Sequence, residues 1–275
     1  MKLENVVVPL RKIHDTAVIY PGARVGRDVE IGPYSVIGEN VIIGDGTKIG
    51  AHVVIEGWTT IGRNCHIFHG ACIGGMPQDN KYHGEKTYVF VGDNTLIREY
   101  VTINRATGEG NETRVGSDCF LMANAHIAHN CQVGNNVIMS NHSGLAGHVV
   151  VEDRANIAGL SGVHQFVKVG RNAMVGGASK VIHDVPPFVI ADGRPARVCG
   201  INSIGLARAG MNEETRRNLK RAYRILYRSG MKLSDAIATM EQELDMSEPV
   251  EHLLRFLRNG NRGLCRSRRD DEGSE

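Results

Sequence analysis

The chain has 275 residues, a formal net charge of +2, and few aromatic residues (1 Trp, 7 Tyr, 6 Phe) beside 33 glycines. The near-neutral charge, with no interleaving of basic and aromatic residues, argues against a nucleic-acid-binding protein. No stretch approaches the roughly 18 apolar residues of a membrane span, and the opening MKLENVVVPL lacks the apolar core of a signal peptide. The 6 cysteines form no CxxC pair, which is typical of a reducing compartment. These features predict a cytoplasmic protein of one or two domains with a core of thin aliphatic layers.

An aliphatic residue returns at every sixth position, without a break from Val115 to Val181. A small or β-branched residue precedes each of them by two positions, and residues two apart on a strand face the same side. A period of six fits neither an α-helix nor an alternating strand, and it is the hexapeptide signature of a parallel β-helix. Three hexads close one triangular coil, so residues 18 apart should stack at about 4.8 Å.

The same period begins at Ile13 and is interrupted twice before Val115. Residues 74–90 contain a first excursion, which includes PQDNKY, and residues 104–114 form a second that is polar and glycine-rich. Loops inserted into a repeat array usually gather on its functional face, so both are candidate site elements. The interior aliphatic residues predict about nine coils.

After Val181 the repeat dissolves through the proline-bearing connector HDVPPFVIADGRPA, and the pattern becomes helical from about residue 202. Three helices are predicted from their capping residues, which are Asn212, Ser234 and Ser247. The expected division is a hexapeptide-repeat domain over 1–195 and a C-terminal helical domain over 196–275. The tail, residues 266–275, lacks an apolar anchor and is predicted to be disordered.

The first predicted helix is strongly basic. Residues 207–228 carry seven basic side chains and two acidic ones. A solvated helix face explains such a segment, and so does a docking surface for an acidic partner or for phosphates.

The 18-residue coil sorts the outward-facing residues into columns. His129, Gly147 and Gln165 form one column, and Ala123, Asn141, Gly159 and Gly177 form another, in which the two stacked glycines leave a furrow. Further outward-facing polar residues lie nearby: His126, Asn130, His142, His148 and His164. An outer wall needs no imidazoles in order to fold, so this concentration is the predicted site of chemistry.

Seven motifs occur in order on this framework, over almost the whole chain: PQDNKY (77–82), AHIAHNC (125–131), LAGHV (145–149), GVHQF (162–166), MVGGAS (174–179), DVPPFVIADG (184–193) and AYRILYRSG (222–230). Together they closely resemble the UDP-N-acetylglucosamine acyltransferase family. The resemblance implies an all-β fold, a left-handed parallel β-helix of hexapeptide repeats, with a smaller C-terminal α-helical domain. It also implies a homotrimer with active sites between subunits.

The reaction that the resemblance implies moves an (R)-3-hydroxyacyl group from acyl carrier protein to the 3-position of UDP-N-acetylglucosamine, the first step of lipid A biosynthesis. No metal and no cofactor are implied, because the acyl donor is carried on the phosphopantetheine of acyl carrier protein. His129 matches the general base of the family, and Gly147 matches its oxyanion-hole glycine through its N–H.

The resemblance implies binding roles for ten further residues. Six of them would bind the sugar, the diphosphate and the incoming acyl group: Asp79, Lys81, His126, His148, His164 and Gln165. Asn202 and Arg208 would bind the nucleotide end. The acyl chain would lie against Gly159 and Gly177, where Gly177 matches a chain-length ruler.

Three residues depart from the family pattern: Asn130 where Asp is usual, and Ile204 and Ala209 where Glu and Arg are frequent. An amide at 130 can orient an imidazole but cannot stabilise an imidazolium by charge. Other functions stay open, namely a related sugar N-acyltransferase or an amine-bearing sugar acceptor, a trimeric zinc hydratase that uses AHIAH, and a subunit that only assembles. The acyl length is open as well.

Overall fold

The computed structural model describes residues 12–260 and 262–267. Short parallel strands wind through them in regular succession: β1 (Val18–Ile19), β2 (Arg24–Val25), β3 (Glu30–Ile31), β4 (Val36–Ile37), β5 (Ile42–Ile43), β6 (Lys48–Ile49), β7 (Val54–Ile55), β8 (Trp58–Ile61), β9 (His66–Ile67), β10 (Cys72–Gly75), β11 (Tyr88–Val91), β12 (Leu96–Ile97), β13 (Thr102–Asn104), β14 (Glu112–Val115), β15 (Phe120–Leu121), β16 (His126–Ile127), β17 (Gln132–Val133), β18 (Ile138–Met139), β19 (Gly144–Leu145), β20 (Val150–Val151), β21 (Asn156–Ile157), β22 (Gly162–Val163), β23 (Lys168–Val169), β24 (Met174–Val175) and β25 (Lys180–Val181).

Every third strand joins the same flat sheet, as expected for a triangular coil. Sheet 1 has nine strands from β1 to β25, and sheet 2 has eight from β2 to β23. Sheet 3 runs from β3 to β24 and then continues into a hairpin. His126 pairs with Gly144, and Gly144 with Gly162, so the predicted register of 18 residues is confirmed.

The corners of the coil are tight turns with left-handed residues at six-residue spacing. Asn130 has φ 59°, His148 has φ 61° and Phe166 has φ 65°. This conformation is costly for histidine and phenylalanine. Hydrogen bonds between corners hold it in place, because the His148 N–H donates to the His129 carbonyl at 3.0 Å and the Phe166 N–H to the Gly147 carbonyl at 3.2 Å.

Both predicted interior series fill the coil. From Ile31 onwards the aliphatic residues are almost fully buried, as are the small residues two places earlier, whereas Ile13 at the start of the series is 39% exposed. Cys65, Cys119 and Cys131 belong to this small series and are buried packing residues, as predicted. All six cysteines are free thiols.

The connector after Val181 is more regular than its sequence predicts. β26 (Val189–Gly193) pairs in parallel with β24, and β27 (Ala196–Ile201) pairs antiparallel with β26. Buried Val189, Ala191 and Val198 lie on this hairpin and close the end of the core. The prolines break the hexapeptide pattern, but the open end of sheet 3 supplies the hydrogen bonds that the segment needs.

Four helices follow: α1 (Ser203–Arg208), α2 (Glu213–Arg228), α3 (Leu233–Glu243) and α4 (Glu248–Arg258). The predicted cap of α2 is confirmed, since Asn212 Oδ1 accepts from the Thr215 N–H at 2.8 Å. The predicted cap of α3 is wrong, because the helix begins at Leu233 after an extended Lys232 and therefore encloses Ser234. Ser247 is the N-cap residue of α4, although its side chain makes no capping bond. None of the helices in the described part of the chain is long and apolar enough to cross a bilayer.

The predicted disordered tail needs a partial correction. Arg266 and Ser267 pair with Val198 of β27, and Cys265 is buried beside them. The apolar residues immediately before the tail anchor its first two positions. The rest of the predicted tail, residues 268–275, lies outside the described residues.

Candidate active site

The corner between sheets 1 and 2 gathers most of the predicted site. The first inserted loop leaves sheet 1 after β10 and returns as β11 of sheet 2, and the second does the same between β13 and β14. His129, Gly147 and Gln165 occupy this corner in the next three coils. Both inserted loops therefore lie at the same corner of the coil as this column.

His129 is held in one orientation by its neighbour Asn130. The His129 Nδ1 lies 2.9 Å from the Asn130 Oδ1. The backbone of Thr107 fixes which end of the amide faces the ring, because its N–H donates to Oδ1 at 2.9 Å and its carbonyl accepts from Nδ2 at 3.0 Å. The ring nitrogen that faces an amide oxygen must carry the proton, so Nε2 of a neutral His129 is the free acceptor.

The free nitrogen of His129 faces polar groups of the first loop. Its Nε2 lies 3.9 Å from the Asp79 carboxylate, and the two side chains are only 15% and 19% exposed. The Lys81 N–H donates to Asp79 at 3.1 Å and is the main reason that the pKa of this carboxyl lies below its usual value. Asp79 is therefore an anion beside the imidazole edge, able to accept a hydrogen bond from a hydroxyl group of a ligand.

Gly147 lies directly against the His129 ring. A Cβ at this position would fall 2.5 Å from the ring atoms Cε1 and Nε2, so the ring keeps its present position only beside glycine. Within the described residues, no hydrogen bond engages the Gly147 N–H. At the corner between sheets 2 and 3, by contrast, side chains one coil later accept from the equivalent N–H groups of Arg27, Ser117 and Asn135. The Gly147 N–H is thus available to a ligand oxygen.

Two further histidines flank His129. His148 stands edge-on to His129 at 5.3 Å and stacks on Phe166 at 4.7 Å. His126 Nδ1 is 2.7 Å from the Thr102 hydroxyl. Burial lowers the pKa of both His126 and His148, and the nearby His129 adds to this effect. Both therefore remain neutral hydrogen-bonding groups near pH 7.

An apolar groove of about 490 Å³ crosses the outer face of sheet 1. Its floor contains Gly144 and Gly162, which sit on strands and have no atom within 4 Å of a Cβ position. The remaining lining residues are His126, Leu145, Ala146, Val163, His164, Lys180, Val181 and Ile182. These residues lie on or directly after four successive strands of sheet 1, which is the side of the coil between the corner of His129 and the corner between sheets 3 and 1.

The second predicted column stands at that far corner. The Ala178 N–H donates to the Gly159 carbonyl at 2.8 Å, which confirms that the turns at Gly159 and Gly177 stack. A Cβ on Gly177 would meet only the Gly159 carbonyl oxygen, at 3.7 Å. The furrow is therefore open, and a side chain at 177 would enter it without strain.

The remaining predicted residues lie at the rim or farther away. Gln165 and Lys81 are exposed, and the exposed His164 lies 3.3 Å from the Arg262 guanidinium. Asn202 caps α1 by accepting from the Gly205 N–H at 3.1 Å and donates to the Asn172 carbonyl at 2.9 Å. Arg208 ends that helix and is exposed. No contact within the described residues joins Asn202 or Arg208 to the histidines.

Thr107, Glu85, Gly144 and Gly162 belong to the site, although sequence reasoning missed them. The two groove glycines follow from the register, because both lie in the column of His126. Thr107 and Glu85 lie in the inserted loops, where no repeat indicates which residues meet. In the part of the chain that the structure describes, no cluster of three His, Cys, Asp or Glu residues could hold a metal ion.

A parallel β-helix of hexapeptides that presents an imidazole and a free backbone N–H at one corner, and an apolar groove on the adjoining sheet, defines a hexapeptide-repeat acyltransferase. The sequence model described as bacterial transferase hexapeptide matches residues 12–44, 40–75 and 112–147. The one described as UDP-N-acetylglucosamine O-acyltransferase, domain 2, matches residues 184–265.

Known relatives are similar along nearly the full length. The acyl-[acyl-carrier-protein]–UDP-N-acetylglucosamine O-acyltransferase of Thiobacillus denitrificans is 52% identical over 255 residues, which are 92% of this chain and 99% of the relative. The UDP-N-acetylglucosamine acyltransferase structure from Francisella novicida superposes with a TM-score of 0.91 at 35% identity, covering 94% of this chain and 96% of that one. The UDP-N-acetylglucosamine acyltransferase structure from Bacteroides fragilis superposes with a TM-score of 0.89 at 42% identity, covering 92% of this chain and 99% of that one.

The chain belongs to the UDP-N-acetylglucosamine acyltransferase family. Its β-helix is left-handed, as the resemblance implied, and carries a smaller C-terminal helical region.

Proposed function

We propose that the protein transfers an (R)-3-hydroxyacyl group from acyl carrier protein to the 3-hydroxyl of UDP-N-acetylglucosamine, the first step of lipid A biosynthesis. The observation that carries this proposal is the pairing of a free imidazole nitrogen on His129 with an unengaged N–H on Gly147, which directly follows Ala146 in the lining of the apolar groove. Names of relatives over the full chain length support the same reaction.

His129 acts as the general base. Its Nε2 takes the proton of the sugar 3-hydroxyl as the oxygen attacks the thioester carbon, and Asn130 keeps the other nitrogen protonated. The Gly147 N–H donates to the carbonyl oxygen as negative charge develops there. The proton then passes from His129 to the departing thiolate, so the imidazole is neutral again after each turnover.

The acyl chain lies across sheet 1, over the glycine floor of the groove. Chemistry at His129 places the thioester end at one corner, so the chain tip points towards Gly159 and Gly177 at the other. Burial against an apolar wall contributes about 0.8 kcal/mol per methylene. A side chain at 177 would therefore affect only donors long enough to reach it.

The sugar and the diphosphate bind at the polar rim of the same corner. Asp79 is placed to accept from a sugar hydroxyl, and Lys81, His148, His164 and Gln165 offer donors around it. Asn202 and Arg208 serve the nucleotide end, with Arg208 facing phosphate. Within the described residues of one chain neither contacts the histidines, which supports a homotrimer in which a neighbouring subunit supplies α1.

The acidic carrier of the acyl donor docks on α2. Lys220, Arg224 and Arg228 line a hollow of about 690 Å³ on this helix. Among the described residues, Lys220 and Arg224 have no ion-pair partner, so their charges are available to a partner. The six free thiols are consistent with a cytoplasmic location, where acyl carrier protein supplies the donor.

Mass spectrometry of products tests this proposal. The purified protein is given a mixture of 3-hydroxyacyl carrier-protein thioesters of several lengths, with UDP-N-acetylglucosamine and its 3-amino analogue in equal amounts. We expect an ester of UDP-N-acetylglucosamine. An amide product alone would overturn the choice of acceptor, and the absence of any acylated nucleotide would overturn the reaction.

A further inference from the structure

A carboxylate of the first inserted loop bridges to the second. Glu85, half-buried in the first loop, accepts from the His83 N–H through Oε2 at 2.7 Å and from the Gly108 N–H through Oε1 at 2.7 Å. The Gly108 bond belongs to the second loop, so the side chain bridges the loops. Backbone donors, Gly108 first, keep the pKa of Glu85 below its usual value, and the group is an anion at neutral pH.

The hydrogen bond from the Gly108 N–H to Glu85 holds the backbone that orients Asn130, the residue in contact with His129. Gly108 directly follows Thr107, whose N–H and carbonyl make both hydrogen bonds to the Asn130 amide. That amide in turn accepts from the His129 ring at 2.9 Å. A continuous chain of short polar contacts therefore runs from Glu85 through the Thr107–Gly108 backbone to the imidazole.

The chain of contacts also explains why residue 130 is an amide. A carboxylate there would still accept from the Thr107 N–H, but its second oxygen would face the Thr107 carbonyl, which now accepts from Asn130 Nδ2 at 3.0 Å. Two oxygens at that distance repel each other. The second loop in its present conformation therefore fits Asn130 and not the usual Asp.

We propose that Glu85 is a positioning residue for acyl transfer: it fixes the Thr107–Gly108 backbone and, through Asn130, holds His129 with Nε2 towards the acceptor. The proposal rests on the proposed function, since it assigns His129 as the base. The bridge also joins that base to the loop that carries Asp79 and Lys81, on the other side of the proposed acceptor site.

Other contacts join the loops without reaching Asn130 and so provide a control. Glu109 accepts from the Lys86 N–H at 3.0 Å across the same interface. No contact within the described residues links the Glu109 side chain to Thr107 or Asn130. Replacing Glu109 by Gln therefore tests loop cross-linking in general, whereas replacing Glu85 by Gln tests the connection to the base.

The experiment measures kcat and KM for Glu85→Gln and Glu109→Gln, each alone and in a His129→Ala background. We expect kcat to fall about tenfold for Glu85→Gln, as for a modest misplacement of a reacting group, and to stay within about twofold for Glu109→Gln. In the His129→Ala background, Glu85→Gln should lower the residual rate no further, because both changes remove one function. Should Glu85→Gln fail to fold, Glu85→Ser, in which water can reach both N–H groups, replaces it.

A second readout is the pH–rate profile of Asn130→Asp, with Asn136→Asp as control at the next left-handed corner (φ 56°). The charged or titratable groups near the His129 ring are Asp79, His126 and His148, with Lys81 beyond Asp79. A new anion beside His129 favours the imidazolium form. The acidic limb of the pH–rate profile should therefore move to higher pH by about one unit for Asn130→Asp. It should not move for Asn136→Asp.

Two outcomes would overturn the proposal and leave the proposed function standing: a wild-type kcat for Glu85→Gln, or an equal further loss in both backgrounds. Near-normal activity of His129→Ala would instead overturn the assignment of the base itself.

Discussion

Replacing Gly177 by Met tests whether the furrow at the far corner measures the acyl chain. The position accepts a side chain without strain, because the nearest atom to a Cβ is the Gly159 carbonyl oxygen at 3.7 Å, and its φ is not in the left-handed range. The added side chain occupies the furrow formed by the two stacked glycines. Donors that reach the furrow lose contact, and shorter donors do not.

The size of the effect follows from the buried methylenes. Each one contributes about 0.8 kcal/mol, so the loss of two changes the relative rate of long and short donors by about tenfold or somewhat more. The groove over Gly144 and Gly162 is untouched, so total activity with short donors should remain close to wild type.

The assay is competition between 3-hydroxyacyl donors of different length, with products counted by mass spectrometry. Gly200→Met is the matched control, because its Cβ position has no atom within 4 Å and it lies on β27, away from the groove. The expected result is a preference shifted to shorter donors for Gly177→Met alone. A uniform loss for all donor lengths would refute the ruler.

Three further predictions concern the base, the docking helix and the effect of pH on stability. Gly147→Ala should lower kcat roughly a hundredfold while the protein stays folded. The new Cβ would lie 2.5 Å from the His129 ring and would displace the ring from its position; a wild-type kcat would refute this packing. Replacing Arg216, Arg217, Lys220, Arg221 and Arg224 by Gln should raise KM for the carrier-protein thioester more than for the UDP-sugar, and the difference should shrink with salt. An unchanged donor KM at low salt would contradict it. Finally, burial lowers the pKa of His126 below its ordinary value of 6.5. The unfolded chain therefore binds a proton more readily, and the melting temperature should fall as pH drops below about 6.5, less steeply in His126→Gln; equal slopes would exclude His126 as the cause.

The repeat made most of the fold predictable, because each flat side of the coil admits only one aliphatic residue and one small residue facing inwards. The same regularity predicts that His129 stacks on Gly147, because the two residues are 18 apart. The two inserted loops interrupt the repeat between sheets 1 and 2, which is the corner that carries His129.

Residues outside the repeat were less predictable. The β26–β27 hairpin has no hexapeptide pattern and forms because sheet 3 offers an open edge. The predicted cap of α3 is wrong because serine is a strong capping residue, and Ser234 therefore attracts the prediction. In the structure Lys232 has the extended backbone of an N-cap residue, and the helix begins at Leu233. Thr107 and Glu85 act through contacts between two irregular loops, and no spacing in the sequence encodes which of their atoms meet.

The turnover of His129→Ala, measured with the carrier-protein donor and UDP-N-acetylglucosamine, tests the central claim most directly. His52→Ala is the control, since His52 is an exposed corner histidine (φ 56°) outside the groove and the inserted loops. Loss of at least about a hundredfold in kcat is expected for His129→Ala, with an unchanged melting temperature and oligomeric state and with wild-type turnover in the control. Near-normal turnover of the folded His129→Ala protein would contradict the assignment of His129 as the base.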